Sequence, residues 1–292
     1  MNTVLIVGCG DVAQRALSWL VRRFRVIAMI RDEGQRVALR KLGVKAIAAD
    51  LDDFASLRRL AGIADYVIHT APPARDGAHD WRTRRLLAAL SGSAHRPRRL
   101  VYISTTGVYG DCAGAVVDET RPVRAQSPRA QRRVDAEQMI RAVAARGVLE
   151  AVVLRAPGIY AADRLPLERL QRGDPALAPD EDVFTNHIHA DDLARLMCLA
   201  LFRGGNGRVF NASDDSDMKM GDYFDAVADH FGLARPPRVS REALARQVSA
   251  MTLSFMRESR RLVNERLKRE LRVELRYPDI HAGLAAVAPS AH

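Results

Sequence analysis

Over the first 105 residues, five short apolar runs alternate with amphipathic stretches, and this rhythm constrains the fold more than any other feature of the chain. Thr3–Val7, Arg25–Ile30, Val44–Ala49, Asp65–Thr70 and Arg99–Ser104 read as strands. Between them Asp11–Val21 repeats Val12, Ala16, Leu17, Leu20 and Val21 at helical spacing, and Glu33–Leu42, Leu51–Leu60 and Asp80–Leu90 read as helices. Such alternation predicts a parallel sheet covered on both faces, and right-handed crossovers make it a doubly wound α/β Rossmann sheet. Past Gly107 the rhythm changes. Residues 107–126 are loop-like, Ser127–Arg146 is a long helix and Glu150–Leu154 a sixth strand. Phe184–His189 alternates like a strand, with Asp191 or Asp192 as N-cap of a helix Leu193–Phe202. Val209–Ala212 is a further strand, and Gly221–Phe231 and Glu258–Arg272 close the chain as helices. The expected organisation is a nucleotide-binding core over 1–155, to which the strands near 184–189 and 209–212 return, and a smaller C-terminal substrate lobe over 156–292.

Composition excludes several classes. At 48% hydrophobic and 27% charged, the 292 residues have ample material for a core, which rules out collagen-like and disordered chains. No apolar run approaches the roughly 18 residues of a membrane span, and the first residues lack the charged region of a signal peptide. Cys9, Cys112 and Cys198 form no CxxC spacing, so neither a disulfide framework nor a zinc ribbon is expected, and the cytoplasm is the expected compartment. The net charge is +10, and lysine occurs only at Lys41, Lys45, Lys219 and Lys268, so the basic excess is carried by arginine. The arginines are spread along the chain among acidic residues, and 5% aromatics supply no stacking platform for single strands. That argues against a nucleic-acid partner and for a solvated arginine-rich surface, with attraction of an anionic ligand as the second reading.

The segment Val4-Leu5-Ile6-Val7-Gly8-Cys9-Gly10-Asp11-Val12-Ala13 is strand, tight turn, helix start, and fits G-x-G-x-x-G/A. Gly8 permits the turn, Gly10 leaves its backbone open to a pyrophosphate, and Ala13 allows close helix–strand packing. Asp11 and Val12 open the helix whose free N–H groups and partial positive charge would face the phosphates. The end of the second strand distinguishes the two dinucleotides. NAD sites place a carboxylate there for the ribose hydroxyls, NADP sites an arginine. Here Arg31 precedes Asp32; a guanidinium pairs with a 2′-phosphate while a carboxylate repels it, so NADP is the expected cofactor, with NAD open through Asp32. Asp50, closing the third strand, reads either as a neighbour of the adenine or as a cap for the following helix.

Together with the glycine turn, four further stretches stand in order at suitable distances: Ala49-Asp50-Leu51, His69-Thr70-Ala71-Pro72, Ser104-Thr105-Thr106-Gly107-Val108-Tyr109-Gly110 and Arg155-Ala156-Pro157-Gly158-Ile159-Tyr160. A fifth, Ile188-His189-Ala190-Asp191-Asp192-Leu193-Ala194, completes the set. On these residues the chain resembles, over nearly its whole length, the extended short-chain dehydrogenase/reductase superfamily, specifically the NAD-dependent epimerase/dehydratase group. The short G-x-G-x-x-A loop resembles an atypical branch. The resemblance implies cofactor contacts from Leu51, Thr70, Ala71 and Pro72, a catalytic hydroxyl at Thr105, a homodimer, and a Tyr-x-x-x-Lys pair ahead of Ala136-Glu137, at positions 129 and 133. Those positions hold Arg129 and Arg133. In the family the lysine lowers the tyrosine's pKa so that the phenol can exchange a proton. Arginine stays protonated and only donates, so Arg129 cannot shuttle a proton. Arg133 would bind the nicotinamide ribose or an anionic substrate, unless both are surface arginines.

Two phenols are candidate replacements, Tyr109 and Tyr160, each with a structural role as the alternative. Asn186 and His187 are candidate substrate contacts. His187, His189 and Asp191 lack the spacing logic of a metal site, and no metal is expected. Two functions follow: an NAD(P)-dependent oxidoreductase or epimerase-like enzyme acting on a small carbonyl or sugar-nucleotide substrate, or a non-catalytic NADP(H)-binding redox sensor or regulatory protein.

Overall fold

The structure is a computed structural model that describes residues 1–248, 253 and 256–288. Seven strands form one parallel sheet: β1 (Thr3–Val7), β2 (Arg25–Ile30), β3 (Lys45–Ala48), β4 (Tyr66–His69), β5 (Arg99–Thr105), β6 (Glu150–Ala156) and β7 (Arg208–Asn211). Their order is β7-β6-β5-β4-β1-β2-β3. The chain winds one way from β1 to β3 and the other way from β4 to β7, so the order reverses between β1 and β4, where Val4 pairs with both Val26 and Tyr66. In sheets of this kind a crevice opens at that reversal, outside the carboxyl ends of the strands.

Side-chain alternation along β1 explains why the sheet needs helices on both faces. Val4 and Ile6 pack into one layer with Ala16, Leu17 and Leu20 of α1 (Asp11–Leu20). Leu5 and Val7 pack into the other with Leu57, Leu60, Leu86 and Leu90. These four β1 side chains are fully buried, which is why the strand reads as an apolar run. The second layer also holds Ala136 and Ile140 of a long helix, Pro128–Ala145, which starts with Ser127 accepting from the Ala130 N–H and proline at its first turn. A buried ion pair fixes that helix to the end of β6: Arg155 Nη2 lies 2.6 Å from Glu137 Oε2, and the Arg155 guanidinium lies over the Tyr109 ring. A third apolar cluster, with Tyr160, Leu177, Phe224, Val227 and Leu284, lies beyond the carboxyl edge of the sheet.

Four expectations are corrected. The stretch 184–189 is not one strand returning to the sheet. Phe184–Thr185 pairs antiparallel with Met218–Lys219, His187–His189 pairs with Gly158–Tyr160, and only Arg208–Asn211 joins the central sheet. The break falls at Asn186, whose amide donates to the Arg260 carbonyl and accepts from the Leu262 N–H. The helix after it is capped not by Asp191 or Asp192 but by His189, whose Nδ1 accepts from the Asp191 N–H; Asp192 instead accepts from the N–H groups of Arg276 and Tyr277. The stretch expected as the last helix is helical only over Glu265–Leu271, because Arg261–Leu262 is drawn into pairing with Val116–Val117, and a further helix, Ile280–Ala285, follows it. Within 51–60, Asp53 caps a helix of only Phe54–Leu57, followed by a 3-10 turn.

Candidate functional site

A cleft of about 930 Å³ runs along the carboxyl ends of β1, β2, β4 and β5, from the glycine turn to Thr105. Gly8, Gly10, Asp11, Val12, Arg31, Asp50, Leu51, Thr70, Ala71, Pro72, Thr105 and Arg133, each singled out from the sequence, all line it. Gly8 has φ +93°, and a Cβ there would lie 2.5 Å from the Ala71 backbone nitrogen. No other residue fits that crossing, where the N–H groups of Thr70 and Ala71 both donate to the Val7 carbonyl. At Gly10 the situation is the reverse: a Cβ would meet nothing within 4 Å, so the backbone faces open space. Gly10 is also the N-cap of α1 and offers no side chain to its first N–H groups, which suits them to an anion. Cys9 lies between, its thiol pushed up to about 11 by burial and therefore unreactive.

At the far end of β2, Arg31 and Asp32 are both exposed in the cleft. The Asp32 carboxylate accepts from the Gly34 N–H at 2.8 Å and so serves its own turn. Asp50 does likewise for the Asp52 N–H, while Asp53 takes the capping role that Asp50 was a candidate for. Sequence reasoning missed Arg82, which binds Asp52 and the Pro72 carbonyl, and Arg164, which reaches the lip of the cleft from beyond β6. It also missed Ser104, whose buried hydroxyl has no hydrogen-bond partner among the described residues although it lines the cleft. Ser104 precedes Thr105 at the end of β5, and that adjacency was a usable signal.

At the inner end Thr105 Oγ1 accepts from the Gly107 N–H, leaving its proton for another acceptor. Arg133 donates to the Tyr102 hydroxyl and the Ile103 carbonyl, both at 2.8 Å, so its guanidinium is held against β5. Thr105, Arg129 and Pro157 line both the cleft and a second cavity of about 410 Å³, whose wall also carries Ser127, Thr185, Asn186, Glu258 and Arg260. Burial holds the Arg129 guanidinium below the usual arginine range, helped by the like charges of Arg133 and Arg132 and opposed by Glu258.

The two candidate phenols lie elsewhere. Tyr109 is buried and donates to Asn211 Oδ1 at 2.7 Å, and Tyr160 donates to the Asp279 carbonyl; neither lines the cleft or the second cavity. Burial pushes the Tyr109 phenol up to about 12, the opposite of what a proton shuttle needs. His187 does not reach either cavity: its ring lies 4.3 Å from that of Tyr223, and burial holds it down to about 3. Asn186 lines the second cavity, but both ends of its amide are taken by the backbone of 260 and 262.

The residues present fit a dinucleotide. The open face of Gly10, the uncapped helix start and the Ser104 hydroxyl lie along one cleft. Comparison with known proteins agrees. The model of the NAD dependent epimerase/dehydratase family matches residues 13–213. Protein YeeZ of Escherichia coli (strain K12) is 26% identical over 247 residues, 81% of this chain and 86% of that protein. A functionally unknown conserved protein from Silicibacter pomeroyi DSS superposes with a TM-score of 0.83 at 30% identity, over 99% of this chain and 100% of that one. The UDP-glucose 4-epimerase of Thermotoga maritima, solved with UDP-glucose, shares the fold with a TM-score of 0.78 at 20% identity, over 97% of this chain and 96% of that one. Among the described residues no helix is long and apolar enough to cross a membrane.

Proposed function

Because the chain belongs to the NAD dependent epimerase/dehydratase family, we propose that it is an NAD(P)-dependent oxidoreductase or epimerase-like enzyme that binds NADP in the larger cleft and a carbonyl substrate in the smaller cavity. The observation that carries this is the continuity of the cleft from the open backbone of Gly10 to Thr105, with the second cavity beginning where the first ends. Gly10 and the first turn of α1 would hold the diphosphate, and Arg31 the 2′-phosphate, since the Asp32 carboxylate is engaged by the Gly34 N–H. Bound there, the nicotinamide supplies the hydride chemistry. The chain's own part is to orient and polarise. Arg133, held by its two bonds to β5, presents a fixed cation beside Thr105, and the Thr105 hydroxyl is free to donate to a substrate oxygen. With arginine at 129 and 133 and no phenol at the cavity junction among the described residues, the site works by placement and electrostatics rather than by a tyrosine proton shuttle.

Calorimetric titration with NADPH and NADH at matched ionic strength tests the reading. Tighter binding of NADPH, with the preference lost in Arg31→Ala, is the expected result. Binding of neither dinucleotide would overturn it, and equal binding of both would remove the NADP assignment.

A further inference from the structure

Ser104 carries a hydroxyl that the fold leaves unused. The residue is 3% exposed, and its Oγ has no hydrogen-bond partner among the described residues although it lines the larger cleft. A hydroxyl taken out of water without a partner costs free energy, so packing alone gives no reason for serine rather than alanine here. Side chains alternate along β5, and Tyr102, two residues earlier, packs into the layer that holds Ala136 and Ile140 of the helix Pro128–Ala145. Across the sheet Ser104 pairs with Arg155, which reaches Glu137 of that same helix. Ser104 therefore lies on the face of β5 that also meets Arg133. Nη1 of Arg133 donates to the Tyr102 hydroxyl and to the carbonyl of Ile103, the residue before Ser104. Both bonds leave from Nη1, and Nη2 makes none among the described residues, so a donor remains for a ligand.

Position along the cleft then selects the part of the ligand. In the sheet β4 and β1 separate β5 from β2, and Gly10 follows β1. A dinucleotide with its diphosphate at Gly10 and its adenosine toward Arg31 brings only its nicotinamide half to the end of β5. The ribose hydroxyls of that half both accept and donate. A guanidinium only donates: it serves their lone pairs and leaves their protons without an acceptor, which a serine oxygen supplies.

We propose that Ser104 is a cofactor-binding residue, its Oγ accepting from a hydroxyl of the nicotinamide-bearing ribose while Arg133 donates to the same sugar. This rests on the reading of the larger cleft as the dinucleotide site. The buried hydroxyl destabilises the cofactor-free chain, and that cost is offset when the ribose binds.

The test is calorimetric titration of the full chain and of Ser104→Ala with NADPH and NADH, each beside its adenosine fragment, 2′,5′-ADP or ADP, together with thermal unfolding of both proteins free of cofactor. Ser104→Ala is expected to weaken the dinucleotide about three- to tenfold, the size of one hydrogen bond. Fragment affinity should stay the same, and the unfolding midpoint should stay level or rise. A dinucleotide affinity unchanged by the substitution would sink the proposal. So would an equal loss for the fragment, which would make the effect general to the cleft, or a lower midpoint, which would make the hydroxyl part of the fold. Those three outcomes leave the dinucleotide reading intact, since the parent still binds; a parent that binds neither dinucleotide removes that reading and this one with it.

Discussion

Nη1 of Arg164 lies 3.1 Å from Oδ2 of Asp11, joining residues 153 apart in sequence across the lip of the cleft. The other oxygen of Asp11 is 3.0 Å from Arg15 Nε, and Arg15 also reaches Asp163 and Asp191. A carboxylate in the first turn of α1 would repel a diphosphate, and these two guanidiniums offset it. Replacing Arg164 with alanine should weaken NADPH a few-fold, on the order of 0.5–1 kcal/mol for a pair this exposed, and the loss should shrink as salt is added. Titrations at two ionic strengths check this; an unchanged affinity at low salt would separate Arg164 from the phosphate site.

The Glu137–Arg155 pair is nearly solvent-free on both sides and fixes the helix that carries Arg129 and Arg133. Glu137→Gln leaves a buried cation without its counter-ion, at a cost of about 3–5 kcal/mol. Urea unfolding should show that loss, and Glu137→Gln combined with Arg155→Met should recover part of it. If the single variant is as stable as the parent, the pair is not what holds the helix.

Asp214 is buried with Oδ2 unpartnered, and its carboxyl is pushed up to about 8 by burial, against the opposing Ser216 hydrogen bonds and with Asp215 and Asp279 adding to the rise. It is thus protonated in the folded chain at neutral pH but ionised when unfolded. The folded state holds the extra proton, so this group's contribution is full below about pH 4, falls between pH 4 and 8 by about 1.4 kcal/mol per unit, and is gone above. Asp214→Asn should match the parent near pH 4 and become progressively the more stable toward pH 8. Parallel unfolding curves across that range would contradict the assignment.

Tyr109→Phe and Tyr160→Phe should leave NADPH affinity unchanged, because neither phenol touches the cleft. Tyr109→Phe strips a hydrogen bond from the buried Asn211 Oδ1 and should cost about 1–3 kcal/mol of stability, and Tyr160→Phe, whose acceptor is the partly buried Asp279 carbonyl, should cost less. Calorimetry alongside thermal unfolding separates the two effects. A loss of cofactor affinity at unchanged stability would return these phenols to the site.

What could be read from the chain follows from how local the determining physics is. The central strands were legible because a parallel strand buried on both faces is an apolar run, as in Thr3–Val7, and the glycine turn because Gly8 answers a steric demand its own neighbours create. The segment Glu258–Arg272 was not, since Val116–Val117 lies far back in the chain and nothing local announces that pairing. The same holds in the cleft. Residues supplied by the strand ends were found, Ser104 excepted, whereas Arg82 and Arg164 arrive on side chains anchored by Asp52 and Asp11, contacts that exist only after folding. Tyr109 and Tyr160 follow the right strands, but their side chains turn into the protein.

Among the described residues every cation lining the larger cleft is an arginine: Arg31, Arg82, Arg129, Arg133 and Arg164, with no lysine or histidine among them. A guanidinium keeps its charge throughout the range in which proteins stay folded. The positive potential of this cleft therefore acts as a constant of the molecule. Acidity in its surroundings acts on the ligands and the carboxylates rather than on the field that attracts them, and ionic strength is what tunes that field.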